Sequence, residues 1–166
     1  QLVNYVGDNN SKALIILKGG KIALEHYYGT FTRDSLWYWA STGKSLTSFL
    51  VGMAKQEGLL SLDDPSNLYL GEGWSNCTPE QENNIKIRHH ISMTTGLDDG
   101  VENVDCTIDT CLNYLAEPGT RWAYHNAPYT IIDEIISNAA GVSLNNFFLT
   151  RVRNRTAING VYFQTG

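Results

Sequence analysis

Basic residues are scarce: twelve lysines and arginines stand against seventeen aspartates and glutamates, for a formal net charge of −5. Phosphate binding needs clustered cations, so this balance argues against nucleic acid or an anionic membrane as a partner. The one dense basic group, Arg151, Arg153 and Arg155, reads as a solvated helix end. No apolar run reaches the roughly 20 residues that a membrane-spanning helix needs. Cysteine is sparse too, with only Cys77, Cys106 and Cys111. None stands in Cys-x-x-Cys spacing and there is no His-x-x-x-His pair, so a zinc site lacks its usual donors. Cys106 and Cys111 bracket a short segment and can pair in an oxidising compartment; three free thiols is the equal alternative. Internal repeats and low-complexity linkers are absent.

What remains is a chain able to bury a core. Its 166 residues are 42% hydrophobic, which suits one domain. Ala13 to Tyr28 reads as two β-strands around Lys18-Gly19-Gly20-Lys21, where paired glycines suit a two-residue hairpin turn. The run Ala13-Leu14-Ile15-Ile16-Leu17 predicts a strand covered on both faces. After Ser41 the period changes. Leu46, Phe49, Leu50 and Met53 fall at helical spacing, with Gly58 as a C-cap signal. Further helices are expected around 87–94, 107–116 and 145–153, and from Tyr129 to Ala140, ending at Gly141 and preceded by Pro128. Asp63-Asp64-Pro65 reads as a helix start.

Ser41-Thr42-Gly43-Lys44 carries the chemistry. A serine and a lysine three apart on a helix share a face, so the amine reaches the hydroxyl. An amine can then help to take the serine's proton. The helix N-terminus adds free N–H groups and a positive dipole end, both suited to an oxyanion. A lysine in a first helical turn is electrostatically disfavoured, which points to a functional reason for Lys44. Downstream, Pro118-Gly119 marks a turn, so Tyr124-His125-Asn126 sits on a loop between helical stretches. A phenol beside a cation ionises more easily and can serve as a general base. Gly43-Lys44-Ser45 also invites comparison with a nucleotide-binding P-loop. That motif demands glycine five residues before Gly43, where Tyr38 stands, so it is rejected.

Three segments, W-A-S-T-G-K-S, I-R-H-H-I-S-M-T-T-G-L and P-G-T-R-W-A-Y-H-N, stand in one order. Together they resemble the serine β-lactamase and penicillin-binding-protein superfamily, in particular its class C-like branch. That branch includes D-alanyl-D-alanine carboxypeptidases, D-aminopeptidases, family VIII esterases and 6-aminohexanoate-dimer hydrolases. The resemblance implies an α+β fold: a β-lactamase/transpeptidase-like α/β sandwich with a helical region. It implies a serine hydrolase that forms an acyl-enzyme on Ser41 and cleaves an amide or ester, such as a D-amino-acid peptide, a β-lactam or a carboxylic ester. Lys44 would help deprotonate Ser41, and Tyr124 would share the base role and protonate the leaving group. Asn126 would orient the substrate amide and Lys44. No metal or organic cofactor is implied.

The family's third motif, Lys-Thr-Gly or His-x-Gly on a later strand, is missing after Asn126. The expectation is therefore a single incomplete domain over residues 1–166, with N-terminal strands in 1–40 and a mainly helical part in 41–160. The C-terminal sheet strands would be missing from this chain. A second chain would supply them, or Val161–Gln164 would fill part of the gap. The resemblance also implies export to the periplasm or outside the cell, and Gln1 as the first residue fits a cleaved leader or an artificially trimmed chain alike. Three Asn-x-Ser/Thr sequons, at Asn9, Asn76 and Asn154, occur readily by chance. The rival function is a penicillin-binding or peptidoglycan-sensing module that does not turn over. Trp37, Tyr38 and Trp39 are expected in the core or a cleft wall, and His89, His90 and His125 as packed or rim histidines.

Overall fold

The computed structural model describes residues 1–158 and 160, and it falls into two compact units, 1–39 and from Ala40 onward. The first unit opens with helix α1 (Leu2–Asp8), which the sequence reading missed, followed by strands β1 (Ala13–Lys18) and β2 (Lys21–Tyr27). The strands pair antiparallel about Gly19 and Gly20, both with positive φ, as a two-residue turn of this hand requires. A register shift after Ile16 sets Leu17 opposite Ile22. Tyr28 ties the hairpin to α1 by donating its hydroxyl to the Val3 carbonyl at 2.9 Å.

Two expectations are corrected in this unit. The apolar β1 run is not covered on both faces: Ile15 and Leu17 are exposed, because two strands without a second layer can shield only one side. Trp37, Tyr38 and Trp39 are exposed rather than core. Trp37 stacks on Tyr38 with ring centroids 5.4 Å apart, and Lys12 Nζ sits 4.9 Å over the Trp37 ring. Among the described residues no third strand joins the sheet. Val161–Gln164 lies outside them.

The second unit is helical. Its elements are α2 (Gly43–Gln56), α3 (Asn67–Leu70), α4 (Pro79–Asn84), α5 (Ile87–Ile91), α6 (Asn126–Thr130), α7 (Ile132–Ala140) and α8 (Leu144–Arg151). Helix α2 buries Thr47, Leu50, Val51 and Ala54 against Ile132, Ile135 and Ile136 of α7, with Phe147 and Phe148 of α8 in the same core. Fully burying one such aliphatic side chain is worth roughly 1.5–3 kcal/mol, so this seam holds α2 in place. The buried stripe is rotated from the one predicted, and Phe49 is 55% exposed. Helix α4 starts on a capping box between Thr78 and Gln81. Its buried Glu82 accepts from Gly73 N, Ser75 N and Ser75 Oγ at 2.8–2.9 Å, which satisfies a carboxylate that would otherwise be costly to bury.

Several boundaries moved for physical reasons. The 107–116 segment is no helix beyond a short 3₁₀ turn at Asp109–Cys111. Cys106 and Cys111 are joined by a disulfide, and Tyr114 bridges to Leu97 in extended form. The stretch expected from Tyr129 to Ala140 breaks at Ile131 into α6 and α7, and α7 ends at Gly141 as expected. Asp63-Asp64-Pro65 precedes a helix instead of starting one. Asp64 accepts from Ser61 N and the Tyr69 hydroxyl, Asp63 pairs with Arg88, and α3 begins two residues after Pro65. Arg151 is not merely solvated: its guanidinium forks onto Glu57 at 2.7–2.9 Å and covers the Phe147 ring.

Candidate active site

Ser41 lies in a 3₁₀ turn, Ala40–Thr42, that runs directly into α2. Ala40 has φ +45, a left-handed conformation that costs a non-glycine residue energy and is often found where function over-determines the backbone. One helical turn on, Lys44 Nζ donates to Ser41 Oγ at 3.2 Å. The same amine stands 5.2 Å from the Tyr124 ring centroid and 5.7 Å from that of Tyr129. The spacing of the first motif and the position of the second thus converge: Ser41, Lys44 and Tyr124 line one open cleft of about 310 Å³.

Electrostatics favours an ionisable phenol there. Hydrogen bonding with Ser41 lowers the Tyr124 pKa below the ordinary tyrosine value; partial burial opposes this and Lys44 adds to it. Tyr129 plays a different part, because burial pushes its phenol up. Its hydroxyl donates to the Lys44 carbonyl at 2.7 Å, which leaves its oxygen to accept from Ser48. Tyr129 therefore clamps the first turn of α2 to α6.

The tyrosine loop is held by the middle motif, in a way that sequence reasoning missed. Helix α5 stops at Ile91, and Met93 takes φ +57, which turns the chain into an extended segment. That segment forms a ladder with the loop: Ala116 N donates to Gly96 O at 2.9 Å, Gly119 N to Thr94 O at 2.8 Å and Ala123 N to Met93 O at 3.0 Å. Gly96 has φ +78, and a Cβ on it would stand 1.9 Å from the Ala116 carbonyl oxygen, so only glycine fits. Arg121 adds an ion pair to Asp99 at 2.6 Å. The cue in the sequence was Thr95-Gly96-Leu97, a glycine placed just after a short helix.

The histidines divide. His90 is fully buried, bonded through Nδ1 to Pro128 O at 2.6 Å and through Nε2 to Ser66 Oγ at 2.8 Å. A carbonyl only accepts, so the ring proton sits on Nδ1, and Nε2 shares the single Ser66 hydroxyl proton with the Ile85 carbonyl, 2.9 Å from the same oxygen. Burial lowers the pKa of His90 to about 4, so it is neutral and fixes α5 to α6. His89 Nδ1 accepts from Lys86 N at 3.0 Å. His125 is also buried, yet neither ring nitrogen has a hydrogen-bond partner among the described residues. Asn126 is the first residue of α6. It is not among the residues lining the cleft, and its Oδ1 is buried without a partner among the described residues. Among the described residues, no group of three or more His, Cys, Asp or Glu side chains gathers as metal ligands would.

Residues 7–163 match the model of the Beta-lactamase family. A penicillin-binding protein of Bacillus subtilis is 24% identical over 163 residues, covering 84% of this chain and 35% of that protein. An octameric penicillin-binding protein homologue from Pyrococcus abyssi superposes with a TM-score of 0.75 at 20% identity, over 98% of this chain and 43% of the other. A beta-lactamase/D-alanine carboxypeptidase from Yersinia pestis gives 0.57 at 22% identity, over 69% and 37%. These structural likenesses carry the fold, and the chain spans less than half the length of each of these relatives.

Proposed function

The chain belongs to the Beta-lactamase family, and from that premise we propose that it is the nucleophile-bearing part of a serine hydrolase acting through an acyl-enzyme on Ser41. The observation that carries this is the convergence of Ser41, Lys44 and Tyr124 on one cleft, with Lys44 Nζ 3.2 Å from Ser41 Oγ. In this reading Lys44 stabilises Tyr124 as a phenolate, which takes the Ser41 proton and becomes the neutral phenol. Ser41 Oγ then attacks the carbonyl of an amide or ester. The tetrahedral oxyanion collapses as Tyr124 returns its proton to the leaving group. Water cleaves the acyl-serine and restores Ser41.

The remainder of the sheet and a second oxyanion donor come from further sequence or a second chain. The Cys106–Cys111 disulfide supports an exported setting, since such bonds persist in oxidising compartments. No helix among the described residues is long and apolar enough to cross a membrane.

The test is product release from an activated phenyl ester by the protein, beside a Ser41→Ala control. A linear steady state that the control lacks supports the hydrolase. A burst with no later turnover supports the non-turnover module instead, and equal rates in the two proteins overturn both.

A further inference from the structure

Trp122 combines a fixed backbone with a free side chain. Its predecessor Arg121 is paired to Asp99 at 2.6 Å, and the amide of its successor Ala123 donates to Met93 at 3.0 Å. Yet Trp122 is 65% exposed and lines the cleft that holds Ser41, Lys44 and Tyr124. Its indole N–H has no hydrogen-bond partner among the described residues. A large ring held out to solvent forgoes burial, and a pre-positioned aromatic loses little conformational freedom when a ligand stacks on it.

The rest of the wall agrees. Ile91 and Met93 add apolar surface to the same cleft. Among the described residues no aspartate or glutamate lines the cleft, and Lys44, the one charged side chain there, is engaged with Ser41. A cationic substrate group would find no partner there, whereas a planar uncharged group finds a ring face, flanking apolar atoms and one free donor.

We propose that Trp122 is a specificity-determining residue that selects amides or esters bearing an aromatic or similarly planar, uncharged group next to the scissile carbonyl. This rests on reading the Ser41 cleft as the acyl-transfer site. The test separates the two by measuring binding without chemistry. In the Ser41→Ala protein, the affinities of N-phenylacetyl-glycinamide and N-acetyl-glycinamide are compared by calorimetric titration, with Trp122 intact and as Trp122→Phe, Trp122→Ala and Trp122→Leu.

The expected preference for the phenylacetyl amide is about tenfold, the scale of one well-placed aromatic contact. It is largely kept by Phe and lost in Ala and in Leu, the latter retaining apolar volume without a ring. No preference with Trp122 intact, or a preference that persists in whichever of the Ala and Leu variants melts normally, overturns the proposal. Failure of native Ser41 to acylate overturns the catalytic reading alone, because the binding comparison does not depend on it.

Discussion

The amide of Ala123 donates to the carbonyl of Met93 at 3.0 Å, so the loop that carries Tyr124 hangs from the segment that follows α5. Gly96 is the closest point of that ladder. Gly96→Ala forces a Cβ into the Ala116 carbonyl at a positive φ, and an expected loss of about 2–4 kcal/mol follows from clash and backbone strain together. Urea unfolding of the variant checks the size. Gly141→Ala is the control, since it shares the positive φ but has open space around it, and it should cost less.

The second expectation concerns acid stability. His90 binds its proton at about pH 4 in the folded protein and near 6.5 when unfolded. The unfolded state therefore holds more protons between these values, and stability is full above pH 6.5 and falls as the pH drops toward 4. The whole difference corresponds to about 3 kcal/mol. His89 and His125 are also lowered by burial and act in the same direction. Urea midpoints at pH 7 and pH 4.5 should differ clearly, and less so in His90→Phe. A flat profile would contradict this.

His90 and His125 should answer differently to replacement by leucine. Removing His90 strands the Pro128 carbonyl and leaves Ser66 with the Ile85 carbonyl alone, at an expected cost of about 1–3 kcal/mol. His125 has no hydrogen bond to lose among the described residues, so His125→Leu should be nearly neutral or stabilising. Thermal melts at neutral pH decide between them.

How far the sequence carried these conclusions depends on the range of the interaction. Ser41 and Lys44 meet because helical periodicity alone brings residues three apart together. The hairpin followed from Gly19-Gly20, and the end of α7 from Gly141. By contrast, the failed helix at 107–116 was undone by long-range ties: Tyr114 pairs with Leu97, and Ala116 with Gly96. Met93 in a left-handed conformation gave no sequence signal. Neither did the rotation of α2, which buries Thr47 and Val51 while leaving Phe49 out, because the partner that chose the face, α7, lies some 85 residues away. Tyr124 was found by its motif, but its route to Ser41 runs through the ladder.

The disulfide yields a count. One thiol, Cys77, should react in the denatured unreduced chain and three after reduction. Under a chain-entropy model, closing so short a loop contributes about 2 kcal/mol. The reduced protein should therefore melt lower. Three reactive thiols before reduction would contradict the pairing.

Under the proposed function, Tyr124 should set the pH dependence of acylation. With its phenol held below the ordinary tyrosine range, the acylation rate should climb with pH and level off below pH 10. Tyr124→Phe should lose the climb and about 10²–10⁴-fold in rate. Stopped-flow acylation across pH gives both readings.

The most direct measurement is the intact mass of the protein after exposure to a penicillin and to an activated phenyl ester, with peptide mapping and a Ser41→Ala control. An adduct mapped to the peptide holding Ser41, and absent from the control, is the expected result. An unmodified native protein, or an adduct that survives Ser41→Ala, would contradict Ser41 as the nucleophile.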